Sequence, residues 1–488
     1  MKIIIFSLTL LKKNMKIKSL IALMLGTISV VCGQEPTTWS LEQCIKHAQK
    51  HSLTVQQSML TAQSSALDIQ SAKGAKLPSL NANANYGLNL GRSVDPTSNS
   101  FAQQTIQSVS LGASGSVPIW SAGRLKYNEA AAKLNNQASE IDVVRTQRDV
   151  ALQVANFYLN ALLAQESIKM GEEQLKQNLM QEERFKKMVN LGTAASSALV
   201  EYKLQIARSE QNLTASKGNL KIALMNLQTY LQLDPNTSFN IETPSTLGVE
   251  PVLAETPDFI FNEALKNYPD IQVAQLRKMS AEQSVKAAEA AKYPTLSGFY
   301  QIRTNYSSLG MRVAGTELVT RNFGNVTLPN VGSVPLLVES TSPIYGKDPI
   351  FSQLETNISS GVGLTLSVPI LNNLQIKTAI QRSQLNIIQI DNNIKVLAQQ
   401  LKNTIYQTHT QAQVLKERFV AVQKTIGAQK ENIEIIRKKQ TLGSANMFEL
   451  LNAEQNLPIL QSEYLQLKYN LLYQIKILDF YAGKGLQF

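Results

Sequence analysis

Residues 79–92, SLNANANYGLNLGR, alternate strictly. Leu80, Ala82, Ala84, Tyr86, Leu88 and Leu90 take every second position, with Asn81, Asn83, Asn85, Gly87, Asn89 and Gly91 between them. A period of two puts the sets on opposite faces of a strand. Asn and Gly are poor strand formers, so the surroundings must reward amides on one side and apolar groups on the other. The same alternation recurs in three places: Leu111, Ala113, Gly115, Val117 and Ile119; Leu296, Gly298, Tyr300 and Ile302; Val362, Leu364, Leu366, Val368 and Ile370.

Elsewhere the period is that of a helix. No proline falls between Pro118 and Pro235, and residues 121–190 read as one helix of about 105 Å at 1.5 Å per residue. Two apolar seams run along it in steps of three and four. Ile141, Val144, Ala151, Ala155, Tyr158 and Leu162 make one, interrupted by Arg148; Val143, Val150, Val154, Phe157, Ala161 and Ala164 make the other. A two-stranded coiled coil needs one seam, whereas a helix flanked on both sides in a ring needs two. A similar run, Ile387, Ile390, Ile394, Leu397 and Leu401, lies further on.

Sliding the sequence against itself shows why these patterns recur. A shift of 216 superposes AKLPSL (75–80) on AKYPTL (291–296), and a shift of 251 superposes SVPI (116–119) on SVPI (367–370) and LGT (191–193) on LGS (442–444). The chain is two copies of one unit: helix, strand, loop, strand, long helix, tight turn, helix. The second copy carries 35 extra residues, read as a loop between its two strands within 307–357. Ser40 with Gln43, and Thr256 before Pro257 and Asp258, mark equivalent helix starts. The first helix of each unit is expected to end near Pro78 or Pro294. Gly192 and Gly443 are expected to end the long helices, with Thr193 and Ser444 starting the next. Pro458 stands in the returning helix of the second copy where the first has Ala207, and predicts a bend.

The four strands need a covering. A soluble sheet would bury its apolar face on a core, yet the remaining chain is almost all long helix. Strands of about 10 residues suffice to cross a bilayer core at a tilt, with lipid on the apolar face and water on the Asn, Ser and Gly face. Backbone groups in lipid must all be paired, so such a sheet has to close into a barrel. Four strands cannot close one, since about eight is the practical minimum. The chain would then assemble as a dimer, trimer or tetramer, and a water-filled bore favours the larger two.

Composition fits this picture. Of 488 residues only 17% are charged and 6% aromatic. The formal net charge is +11, but Lys and Arg are interleaved with Glu, which argues against nucleic acid as partner. Residues 19–31 form an apolar run behind the basic KKNMKIK, an export signal whose true start could be Met15. Cleavage after Gly33 removes Cys32, which a lipoprotein pathway would instead modify, and leaves Cys44 as the single thiol. The organisation read from the chain is therefore a signal peptide (1–33), a first repeat (34–232), a connecting segment (233–257), a second repeat with its insertion (258–480) and a short tail (481–488).

Candidate chemistry is sparse. Cys44, His47 and His51 could share one helix face at a spacing compatible with a metal ion. The second copy has Ile260, Glu263 and Asn267 there, so neither metal nor cofactor is expected. The GASGS stretch at 112–116 resembles a nucleophile elbow, but its glycines sit in an alternating strand. There is no P-loop, and the chain reads as a non-enzyme.

The duplicated helix–strand–strand–helix unit, SVPI closing a hairpin, and LGTAASSAL and LGSANMFELLNAEQ at the helical turns resemble the TolC-type outer-membrane efflux family. The likeness spans residues 38–480. It implies a mainly α chain with a membrane β-barrel portion, in which four strands per chain build a shared 12-stranded barrel in a homotrimer. The long coiled-coil helices would form a periplasmic α-barrel, and residues 233–257 would wrap its waist. It also implies a passive export channel in the outer membrane, docked to a periplasmic adaptor protein and through it to an inner-membrane pump. The turns Leu191, Gly192, Thr193 and Leu442, Gly443, Ser444 then become adaptor-docking tips. The family often has two acidic residues three apart after the second glycine; Glu449 and Asn452 stand there, so one acid is replaced by an amide. The first copy has Ala198 and Glu201. Glu449, Asn452 and Glu201 are the candidates for lining the gate. A periplasmic coiled-coil scaffold without a pore is the alternative reading.

Overall fold

The computed structural model describes residues 38–484 apart from 96–98, 104, 194, 244–254 and 330. The expected signal peptide with Cys32, residues 244–254 of the connecting segment and the last residues of the tail lie outside the described residues.

Helix starts and stops follow the local chemistry. Strand β1 (Thr38–Trp39) leads into α1 (Leu41–His51), which opens with a complete capping box between Ser40 and Gln43. Helix α2 (Leu53–Gly74) follows, then β2 (Ser79–Asn89), β3 (Arg92–Val94), β4 (Phe101–Gln103) and β5 (Ile106–Trp120). The long helix α3 spans Arg124–Asn190 and returns as α4 (Ser196–Tyr230) before β6 (Asn240–Ile241). The second copy runs α5 (Pro257–Asn267), α6 (Pro269–Ala290), β7 (Thr295–Ser307), β8 (Met311–Leu328), β9 (Gly332–Lys347), α7 (Ile350–Thr356), β10 (Ser359–Ser367), α8 (Gln375–Thr441) and α9 (Met447–Tyr481). Helices α3 and α8 have 67 residues each, and α4 and α9 have 35 each. Every helix of the duplicated unit recurs at the sequence offset, first 216 and then 251.

Three expectations need correction. The first helix of each copy is not continuous. Ser52 is extended (ψ 128°) between α1 and α2, and Tyr268 (ψ 113°) does the same before Pro269. A proline disfavours helix in the residue before it, which accounts for the break at Tyr268. The insertion is not a loop: β8 and β9 form an antiparallel hairpin of 18 and 16 residues. Pro335 and Pro343 are tolerated in β9 because a two-stranded ribbon leaves one edge of each strand without ladder partners. Finally, Thr193 and Ser444 do not begin the returning helices, which start at Ser196 and Met447.

The chain divides into two compact units. One contains the chain up to Gln56, Thr146–Lys266 and the chain from Leu401 onward. Its core gathers Leu41, Cys44 and Ala48 of α1, Val150, Val154, Tyr158 and Leu162 of α3, Leu227 of α4 and Leu472 of α9. Between residues 150 and 162 both seams of α3 are thus buried within the chain itself. The parallel pair β1–β6 closes this core, and the Tyr158 hydroxyl lies against the carbonyls of Trp39 in β1 (3.1 Å) and of Glu242 just after β6 (2.6 Å).

The other unit contains Gln57–Arg145 and Asn267–Gln400. Here β2, β5, β7 and β10 form one antiparallel sheet in the order β10-β7-β5-β2, with β5 and β7 joining the two copies at its centre. At the base of the sheet Lys76 and Lys133 hold Glu129 at 2.5 and 2.6 Å. At its opposite end the buried Gln353 of α7 fastens the insertion. Its amide nitrogen donates to the carbonyls of Ser307 and Asp348, and its oxygen accepts from the Ser307 amide. Gly310 permits this, since a Cβ there would lie 2.3 Å from the Gln353 side chain.

Candidate channel elements

The register of the sheet sorts its side chains into two unlike faces. Leu80, Ala82, Ala84 and Tyr86 on β2 align with Gly115, Ala113, Leu111 and Val109 on β5, and these with Tyr300, Ile302, Thr304 and Tyr306 on β7. Leu296, Gly298 and Tyr300 then align with Leu366, Leu364 and Val362 on β10. One face is thus apolar across all four strands. It is uncovered within the chain: Leu80 is 73% exposed and Val362 84%. The burial of such residues normally stabilises a fold by about 1.5–3 kcal/mol each, so leaving them bare requires an external apolar phase. Tyr86 and Tyr306 sit toward one end of this face, and Trp120 at the other, beyond a bulge after Pro118.

The opposite face carries Asn81, Asn83 and Asn85, Ser110, Gly112 and Ser114, Gln301, Arg303 and Asn305, and Ser359, Gly361 and Gly363. Both outer edges, β2 and β10, lack a partner strand among the described residues.

In the first unit the two helical turns are near copies. Gly192 and Gly443 adopt φ of +74° and +72°. Gly192 N–H donates to Val189 and Thr193 N–H to Met188; Gly443 N–H donates to Gln440 and Ser444 N–H to Lys439. This is the glycine-ended closure of a helix, which a Cβ would strain. Thr193 and Ser444 also turn their hydroxyls back onto the carbonyls of Met188 and Lys439. They complete the ends of α3 and α8. The copies differ at the next start: Asn446 caps α9 through Phe448 N–H, whereas Ala195 offers α4 no side-chain cap. Leu191 and Leu442 are left bare at 78% and 82% exposure.

Glu449 and Asn452 are exposed on the first turns of α9, and Glu201 is half-buried on α4. Glu201 and Thr193 share a hollow with Gln440, Asn446 and Phe448, which neither Glu449 nor Asn452 lines. Within this unit other residues, which sequence reasoning missed, hold the ends together. Arg437 donates to Glu434 (2.9 Å) and across its hairpin to Glu454 (2.7 Å). Phe185 and Tyr202 stack at 4.8 Å and pack with Leu451, joining the first hairpin to the second. Only the i,i+3 spacing of Glu434 and Arg437 could have been noticed beforehand. Pro458 lies inside α9, and with Ile459 it faces a hollow of mixed character lined by Leu163, Ser167, Met170, Ser209 and Asn212 of α3 and α4.

The suspected metal face is occupied otherwise. Cys44 is fully buried, and that burial pushes its thiol up to about 12. His47 stacks on His51 at 4.3 Å and meets the edge of Trp39. Among the described residues no group of three His, Cys, Asp or Glu is placed to hold a metal ion.

The sequence pattern of the outer membrane efflux protein family matches residues 44–231 and 260–484. The chain belongs to the outer membrane efflux protein family. As a family member it is an outer-membrane protein, built on the fold of the TolC-like channels. Similar solved structures include CusC, at 18% identity over 91% of this chain and 92% of that one, with a TM-score of 0.69. VceC from Vibrio cholerae follows at 16%, covering 92% and 97%, with a TM-score of 0.67. The open state of MtrE from Neisseria gonorrhoeae is 16% identical over 92% and 91%, with a TM-score of 0.62. No curated protein matches the efflux-family chain by sequence. Among its described residues no helix is long and apolar enough to cross a membrane.

Proposed function

We propose that this chain is the outer-membrane channel of a tripartite export system, a passive conduit for molecules delivered by an inner-membrane pump through a periplasmic adaptor. The observation that carries the reading is the uncovered apolar face on a sheet with two open edges. From Val109 to Trp120 strand β5 covers about 36 Å at 3.3 Å per residue. Tilted by 35–45°, that matches the roughly 25 Å apolar band of an outer-membrane barrel, with aromatic residues at both borders. Open edges do not survive in lipid. Pairing β2 of one protomer with β10 of the next removes them, and three chains give 12 strands around a bore wide enough for water. The helices then extend into the periplasm. The turns at Leu191, Gly192, Thr193 and Leu442, Gly443, Ser444 serve as adaptor contacts, and Glu201, Glu449 and Asn452 stand near the narrow end. The chain supplies passage and no chemistry.

The decisive experiment purifies the chain from outer membranes in detergent and reconstitutes it in planar bilayers. A trimer that conducts ions in discrete steps is expected. A stable folded monomer, or a trimer without conductance, would leave the coiled-coil scaffold as the better reading.

A further inference from the structure

We infer that Arg303 makes an anion-selective ring inside the barrel, a site for carboxylate or phosphate groups of passing cargo. The inference rests on the channel reading above, because the polar face of the sheet must line the bore.

Strands β2, β5, β7 and β10 contain a single charged residue, Arg303. It lies in a row that crosses the whole sheet, Asn83, Gly112, Arg303, Ser359, on the polar face. Arg303 is exposed, and its Nε donates to Ser359 Oγ at 3.2 Å. Among the described residues no carboxylate pairs with it, which leaves the outer guanidinium nitrogens, a flat two-pronged donor suited to carboxylate or phosphate.

The neighbours keep it accessible. Side chains of β7 on this face lean over glycines of β10: a Cβ on Gly363 would come within 2.7 Å of the Phe299 ring, and one on Gly361 within 3.5 Å of the Gln301 amide. Arg303 leans the same way, toward Ser359. On its other side Gly112 offers no side chain, and the Asn83 amide oxygen lies 3.1 Å from where a Cβ would stand. The result is a hollow of about 670 Å³ whose polar lining includes Asn83, Ser110, Gln301, Arg303, Asn305 and Asn357. Amide and hydroxyl donors around an unopposed guanidinium form a surface for an anion. A cation gains nothing there. Threefold symmetry would repeat the arginine around the axis with no acidic residue in the same strands to cancel it.

The test compares wild type, Arg303→Gln and Arg303→Lys as reconstituted trimers, from reversal potentials in a KCl gradient. Glu449 is present in all three, so any charge at the tips cancels in the comparison. At about 10 mM salt the chloride-to-potassium permeability ratio should fall by about tenfold or more in Arg303→Gln, because three unit charges about 10 Å from the axis in water attract the anion and repel the cation alike. It should be restored in Arg303→Lys and lose its sensitivity to residue 303 at about 1 M salt, where the Debye length is about 3 Å. Inorganic phosphate should reduce the current of wild type more than that of Arg303→Gln. Conducting Arg303→Gln trimers with the wild-type ratio at low salt would overturn the ring and leave the channel standing. Absence of conductance in wild type would overturn the channel reading and the ring with it.

Discussion

The hydroxyl of Tyr158 lies 2.6 Å from the carbonyl oxygen of Glu242, and 3.1 Å from that of Trp39, so one side chain of α3 ties strand β1 to the residue that follows β6. The ring is fully buried. Tyr158→Phe keeps the ring and removes the donor to the Glu242 carbonyl, while the Trp39 carbonyl still accepts from the Glu242 N–H (3.0 Å), a loss of about 1–3 kcal/mol. Fluorescence of Trp39 followed through thermal or urea unfolding should report an earlier transition. An unchanged midpoint would mean that water satisfies the Glu242 carbonyl.

Glycine substitutions should separate turn geometry from mere flexibility. Gly443 has φ of +72°, so Gly443→Ala forces a side chain into the left-handed region at about 1–2 kcal/mol. Gly427 is interior to α8 with nothing within 4 Å of where a methyl group would stand, and Gly427→Ala should stabilise by up to about 1 kcal/mol. Thermal unfolding of the two variants should therefore move in opposite directions.

Glu129 sets an acid limit. Hydrogen bonds from Lys133 and then Lys76 hold its carboxyl down at about 2, against the usual 4.5. A lowered carboxyl favours the folded state above its unfolded value, and that contribution disappears as pH falls from about 4.5 toward 2. Glu129→Gln should remove this contribution where it is present, near pH 7, change little at about pH 2, and so flatten the loss of stability across this window. An identical acid profile would show that both lysines are screened by solvent.

Ser333 tests which way the chain is threaded. It is exposed on β9 and pairs with Thr327. If the insertion emerges on the outer surface, Ser333→Cys should react with a membrane-impermeant maleimide on intact cells. Cys44 is buried, and its thiol is raised to about 12, so the native background should stay silent. Labelling seen only after lysis would reverse the topology.

Glu449 is exposed on the first turn of α9, where three copies would face one another if the tips close on the bore. Glu449→Gln should then reduce cation over anion permeability and weaken block by divalent cations, with the trimer intact. Unchanged selectivity would leave the tips with adaptor docking alone.

Prolines, glycines and the repeat made much of this fold legible in the sequence. Gly192 and Gly443 mark the long helices' ends to within a residue or two, and Pro78 and Pro294 the start of strands. The break after α1 was also readable, since Tyr268-Pro269 in the second copy projects onto Ser52-Leu53 in the first. The β8–β9 hairpin was obscured because its prolines suggest a loop, and only an edge strand tolerates them. Arg437 and Glu454 could not be matched beforehand, because their contact depends on how α8 and α9 settle against each other.

The central pairing of β5 with β7 also sets an order of events. Gln107 bonds Ser308, 201 residues later in the chain. When the first hairpin emerges from the export machinery, its partner strand has yet to be delivered. Strand β5 must therefore wait with an open edge and a bare apolar face while α3, α4 and the connecting segment pass through. Such non-local closure is slow and exposed to aggregation. The Asn and Gly of β2, unfavourable for strand formation, would delay pairing with the wrong edge while β5 waits.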